Sequence, residues 1–202
     1  MRIFYVITAS AFLALASPLA AEQAVHRQLE AHVHGQGSLN IAIDGNKLDM
    51  ELKAPGADIV GFEHAAESTA QKAAVEQAKV ALAEFLNLFK LPGNANCKVD
   101  KADVAVRTEE HHHHDDEHAD AGKKAADGAK DEDHDEHDGH SGFHAMYSLT
   151  CAAPANLTAL ETTYFKAFAG AQALNVSVVT PKGQSQMQLT RDKTILALAG
   201  LM

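Results

Sequence analysis

Tryptophan is absent from this chain of 202 residues, and aromatic side chains make up only 5% of it. The length still permits a buried core, which must be built from Ala, Leu, Val, Ile and a few Phe. Basic residues are also in short supply. The 17 Lys and Arg face 27 Asp and Glu, a net charge of −10 at pH 7. Such a surface repels phosphate, so nucleic acid and anionic membranes are not expected partners. After the N-terminus no apolar run is long enough to cross a bilayer. Catalytic motifs are missing as well: there is no HExxH and no nucleophile elbow. A zinc hydrolase would have to use Glu63 as base beside His64 as ligand, and nothing else supports that chemistry. An enzyme is not expected.

The first residues are an export signal rather than part of a fold. Arg2 precedes an apolar run from Ile3 to Ala16, and small residues follow to Ala21. The run is about 14 residues, short of the roughly 20 that span a bilayer, which argues against a membrane anchor. Cleavage is expected near Ala21, without lipid attachment because no Cys follows the run. Loss of Arg2 takes the net charge from −10 to −11. Cysteine is scarce, with Cys97 and Cys151 alone. Two in an exported chain read as one disulfide, the other reading being two buried thiols. A bridge closing about 55 residues contributes roughly 4 kcal/mol.

The chain divides into residues 1–21 (signal), 22–107, 108–141 and 142–202. In AHVHGQGSLNIAI the positions Ala31, Val33, Leu39, Ile41 and Ile43 are small or apolar, and His32, His34, Gln36, Ser38 and Asn40 are polar. This period of two predicts a strand with one buried face. DGN marks a hairpin turn into KLDMELK. Ser68 and Gln71 form a capping box. Val75, Ala78, Leu82, Phe85, Leu86 and Phe89 then recur at helical spacing, up to Leu91-Pro92-Gly93. A strand is expected over residues 99–106. GFHAMYSLTC alternates, and Leu157, Leu160, Tyr164, Phe165 and Phe168 predict a second helix. LNVSVVT and QSQMQLT should pair across Pro181-Lys182-Gly183. The fold class is α+β: a mainly antiparallel sheet packed with two or more helices, and a long disordered loop rich in His, Asp and Glu.

That loop carries the densest chemistry. From His111 to His140 there are eight His, eleven Asp or Glu and three Lys. It has too little apolar surface to offset the entropy of ordering. The residues His111, His112, His113, His114 and His118, then His134, His137 and His140, offer imidazoles at short spacings with carboxylates between them. A flexible backbone can wrap these around Zn2+, and equally around Cu2+, Ni2+ or Co2+. A solvated acidic linker explains the acids but not the eight His. A misplaced purification tag explains neither the internal position nor the second cluster.

Four further histidines stand in ordered contexts. His32 and His34 lie two apart on the first expected strand and should point to one face, with Cα atoms roughly 7 Å apart. His64 sits in GFEH, before the capped helix, and His144 in GFHAMY, opposite Phe143 and Tyr147. Singly, each is most simply a surface or core histidine. Together they suggest one metal site, with Glu63 and Asp58 as ligands or as orienting carboxylates.

The blocks HVHGQGSLNIAIDGNKLDMEL, PGADIVGFEH, HHHHDDEH, FHAMYSLTC and TPKGQSQMQLT occur in this order behind a signal. They resemble the ZrgA-type periplasmic zinc-binding proteins over essentially the whole exported chain. The resemblance implies a periplasmic zinc-binding protein accessory to zinc import. Its partners would be the metal ion and a zinc ABC importer or that importer's periplasmic binding protein. It also leads one to expect a carboxylate between the first two His, where Val33 stands. The expected function is to scavenge zinc and hand it over or store it. The alternative is a periplasmic sink for excess zinc, copper or nickel. A structural or adhesion role would leave the histidines without a purpose.

Overall fold

The computed structural model describes residues 33–109 and 140–202. Among these residues, alternating side chains build nine strands. β1 (Gln36–Asp44) and β2 (Lys47–Pro55) form a hairpin whose turn uses the positive φ of Gly45. A short helix α1 (Gly56–Val60), the longer α2 (Thr69–Ala83) and one further turn α3 (Phe85–Leu88) follow, then β3 (Phe89–Lys90) and β4 (Cys97–Glu109). After the undescribed residues come β5 (His140–Cys151), β6 (Ala159–Thr162), a single turn α4 (Tyr164–Ala167), β7 (Ala173–Thr180), β8 (Gly183–Thr190) and β9 (Ile195–Ala197).

The strands form a six-stranded sheet in the order β4-β5-β2-β1-β7-β8 and a small one in the order β3-β6-β9. Every described pairing is antiparallel except β1 with β7. The fold is α+β and mainly antiparallel, as the sequence pattern indicates. One consequence positions the site. β2 lies between β1 and β5 and runs against both, so β1 and β5 begin at the same end of the sheet. His34 and His140, far apart in sequence, therefore start from neighbouring places.

One sheet face is apolar. Leu39, Ile41, Leu48, Met50, Leu52, Phe143, Tyr147, Leu149 and Val176 are all at most 2% exposed. Leu82, Phe85, Phe89, Leu160 and Leu196, from the helices and the small sheet, belong to the same core. Three rings, Phe85, Phe89 and Tyr147, meet edge to face or tilted, with centroids 5.1–6.1 Å apart. The Tyr147 hydroxyl donates to the Leu82 carbonyl at 2.7 Å, tying β5 to the end of α2.

α2 begins where the capping box places it. The Ser68 hydroxyl accepts from the Gln71 amide at 3.2 Å, and Gln71 Oε1 accepts from the Ser68 N–H at 3.0 Å. Ser68→Ala is expected to lower unfolding stability by about 1 kcal/mol, read from urea denaturation. An unchanged midpoint would mean that the helix end is held by packing alone.

Three expectations fail. The helix expected to run on to Leu91 ends at Ala83; α3 is a separate turn, and Phe89 opens β3, where it pairs with Thr162. The segment 157–168 is not one helix but a 3-10 turn at Pro154–Asn156, the strand β6 and the single turn α4. The helical spacing of its apolar residues is real, yet Leu160, Thr162 and Tyr164 are buried at every second position. Thr162 pairs with Phe89, and the strand wins because it completes the small sheet. The first strand also starts later than expected. His34 and Gly35 form a turn, with Gly35 at φ 81°, and Val33 is 55% exposed rather than buried.

Candidate metal-binding pocket

The end of the sheet where β1 and β5 begin is shaped by close backbone contact. β2 finishes at Pro55, and Gly56 turns the chain into α1. A side chain at Gly56 would meet the carbonyls of Phe62 and Ser141 at 2.5 and 2.7 Å. Only glycine lets the loop after α1 lie against the start of β5. Gly61, at φ 86°, ends α1 and swings Phe62, Glu63 and His64 over that end. The Ser141 N–H then donates to the Glu63 carbonyl at 2.6 Å.

Glu63 is the hub. Its side chain is only 11% exposed. Oε2 accepts from Nε2 of His34 at 3.0 Å and from Nδ1 of His140 at 2.8 Å. Its other oxygen, Oε1, is buried with no hydrogen-bond partner among the described residues. His34 and His140 are largely exposed, so the rings reach in from solvent to a carboxylate set below them. His64 completes the lining with Ala57. Its Nδ1–H donates to the Ala65 carbonyl at 2.8 Å, which leaves Nε2 with the lone pair. The Gln71 amide donates to that nitrogen at 3.4 Å, and Phe62 stacks on the ring at 5.0 Å. Holding one ring nitrogen on a backbone carbonyl is the usual way a ligating histidine is oriented.

Asp58 works beneath the pocket. It is 3% exposed, and its Oδ1 accepts from the Gly35 N–H at 2.7 Å. Gly35 in turn accepts from the N–H groups of Gln172 and Ala173. The turn that carries His34 is thus fixed on both sides. Asp58→Ala should strand a buried N–H, costing about 1–3 kcal/mol of unfolding stability in a thermal or urea melt. A neutral result would show that water replaces the carboxylate.

Charge is coupled across the pocket. The hydrogen bond to Glu63, and then its negative charge, raise the His34 pKa above its ordinary 6.5. Burial pushes Glu63 up, but the bonds from His34 and His140 more than offset it, and its pKa falls below the ordinary carboxylate value. The signs set a window. The raised His34 stabilises the fold below pH 6.5, and that contribution is lost as pH rises through its folded pKa. The lowered Glu63 contributes above the ordinary carboxylate pKa and is lost as pH falls through its folded value. The His34–Glu63 bond is therefore strongest between these two limits.

Among the described residues, no group of three or more His, Cys, Asp or Glu is arranged to hold a metal ion as it stands. The hydrogen bonds account for this. A ring nitrogen that donates a proton to Glu63 cannot at the same time offer a lone pair to a cation. The two arrangements are alternatives on the same atoms.

The histidines singled out in the sequence separate into three groups. His34, His64 and His140 line the pocket. His144 does not join them: it lies four residues further along β5 than His140, opposite Lys53 and Ala105, near Glu51. His32, His111, His112, His113, His114, His118, His134 and His137 lie outside the described residues. His140 is the surprise. The sequence assigned it to the acidic segment, yet it opens β5 and pairs with Glu109, the last residue of β4. Its place directly before the alternating GFHAMYSLTC was the available signal. Cys97 and Cys151 are joined, as expected, and face each other across β4 and β5 at the far end of the sheet.

Imidazole and carboxylate are the donor types that suit divalent transition metals. Residues 31–198 match the family described as ZrgA family zinc uptake protein. The chain belongs to that family, one of zinc uptake proteins. No curated protein matches it.

Proposed function

We propose that the chain is an exported, periplasmic zinc-binding protein that collects the ion and passes it towards an importer. His34, Glu63, His64 and His140 would hold zinc at the end of the sheet. The observation that carries this reading is the shared carboxylate oxygen: one Glu63 oxygen gathers two imidazoles from two other chain segments. Zinc is cargo here, so the site must also release it. The acidic, His-rich residues 110–139 join the ends of β4 and β5, and His140 itself belongs to the pocket lining. Ions caught by that segment would be delivered beside the pocket. Membership in a zinc uptake family supports the cargo.

Calorimetric zinc titration at neutral pH tests this on residues 22–202 and on the same chain with 110–139 replaced by a two-residue Asn-Gly turn, so that Glu109 and His140 stay paired. The shortened chain should lose stoichiometry but keep one tight site. If all binding leaves with the segment, the pocket is not a zinc site. Affinity should also weaken as pH falls, because protons compete for the imidazoles. Since the His34 pKa is raised, the loss should begin above pH 6.5. Affinity unchanged down to about pH 5 would mean that carboxylates alone hold the ion.

A further inference from the structure

The two edges of the six-stranded sheet are built differently. β4 carries Lys98, Asp100, Lys101, Asp103 and Arg107, and its pairing with β5 is interrupted by a bulge between Val99 and Lys101. Charge and bulge are the usual guards against a second strand adding to an edge. β8, at the opposite edge, has neither. Its sequence is GQSQMQLT, and it pairs with β7 in unbroken register from Ala173↔Thr190 to Thr180↔Gly183. It contains no proline and no charged residue, and nor does β7. Among the described residues, no strand pairs with the outer side of β8.

Register shows which backbone groups face outward. The two-residue turn Pro181-Lys182 closes on a hydrogen-bonded pair, Thr180 with Gly183. Bonded and non-bonded pairs then alternate, so the odd residues of β8 bond to β7 and the even ones point away. Thr190 confirms the phase: its N–H and C=O exchange bonds with Lys193 beyond the strand. Gln184, Gln186 and Gln188 are left, all exposed, each with one N–H and one C=O turned outward. These groups are symmetric about Gln186.

We propose that β8 is a self-association edge, at which two copies of the chain join their sheets by antiparallel β8–β8 pairing about a two-fold axis at Gln186. In that register Gln186 meets its own copy, and Gln184 meets Gln188 twice. Every outward donor of the three glutamines then finds an acceptor. The side chains match as well. On this face Gln188 already donates to Asn175 at 3.0 Å, and Asn175 lies within 3.5 Å of Gln36, so a row of amides crosses β8, β7 and β1. Pairing with a second copy would extend that row with three more Gln–Gln contacts. Charge points to a second copy as the occupant. Two copies of residues 22–202, each of net charge −11, repel unless they meet where acids are missing, and β7 and β8 are such a region. A single strand pair buries little surface, so the dimer should be weak and reversible.

Sedimentation equilibrium of residues 22–202 with EDTA present, over concentrations up to about 1 mM, tests the proposal. EDTA removes association bridged by metal. The mass should rise from monomer towards dimer, and exchange of the Gln186 amide should slow as concentration rises. Gln186→Pro removes an outward N–H without touching the bonds to β7, and Gln186→Lys sets two like charges face to face. Each should raise the dissociation constant at least tenfold and leave the dilute-solution melting temperature unchanged. A chain that stays monomeric throughout would overturn the proposal, as would a dimer that survives both substitutions.

Discussion

Glu63→Gln, made in the chain with residues 110–139 replaced by the Asn-Gly turn, is expected to weaken zinc binding about 100-fold. The substitution keeps size and shape and removes only the charge. Glutamine can still accept from one imidazole, so the loop should stay in place and melting should change little. What is lost is the anionic oxygen that sits between His34 and His140, with its partner Oε1 buried and without a hydrogen bond among the described residues. A cation would offset that buried charge, whereas an amide offers it only a dipole. His34→Ala and His140→Ala should each cost a similar factor, because each removes one imidazole from a shared site. His144→Ala is the control. It lies four residues further along β5 than His140, outside the pocket lining, and its loss should leave zinc binding as in the parent. Competition calorimetry with a chelator of known affinity reads all four. Zinc binding that survives Glu63→Gln and fails with His144→Ala would move the site along β5 to His144.

Local pattern made most of the sheet legible from sequence. Alternation in SLNIAI, KLDMEL, FHAMYSL and NVSVV was enough because each strand has one buried face and one polar one. The capping box was legible because its two hydrogen bonds are made within four residues. The pocket was only half legible. Glu63 and His64 were visible in GFEH, but their relation to His34 and His140 depends on β2 lying between β1 and β5, which no local pattern encodes. Val33 and His34 looked like strand because the alternation ran on through them. Asp58 and Gly35 override it by holding a turn there. His144 looked equivalent to the other ordered histidines, since spacing assigns a residue to a face but not to a neighbourhood. In segment 157–168 a helical spacing and a strand spacing coexisted, and the pairing partners at Phe89 and Ile195 decided between them.

Replacing Cys97 and Cys151 by Ser should lower unfolding stability by roughly 4 kcal/mol, because the bridge spans 54 residues and most of its effect lies in the unfolded chain. That origin makes a second, sharper prediction. Replacing residues 110–139 by the two-residue turn shortens the span from 54 to 26. By the logarithmic dependence on loop length, the bridge should then be worth about 3.5 kcal/mol. Urea denaturation of the four proteins of this cycle gives the difference directly. A bridge whose contribution does not shrink in the shortened chain acts through the folded state instead. The pocket should be indifferent to either loss. β5 is held by β2 through nine consecutive pairs, down to Pro55↔Gly142 beside His140, while the bridge clamps the opposite end of the β4–β5 pair. Zinc affinity of the bridge-free protein, measured well below its melting temperature, should therefore match the parent within about twofold. A folded, bridge-free protein that no longer binds zinc would show that β4, and not β2, sets the position of His140.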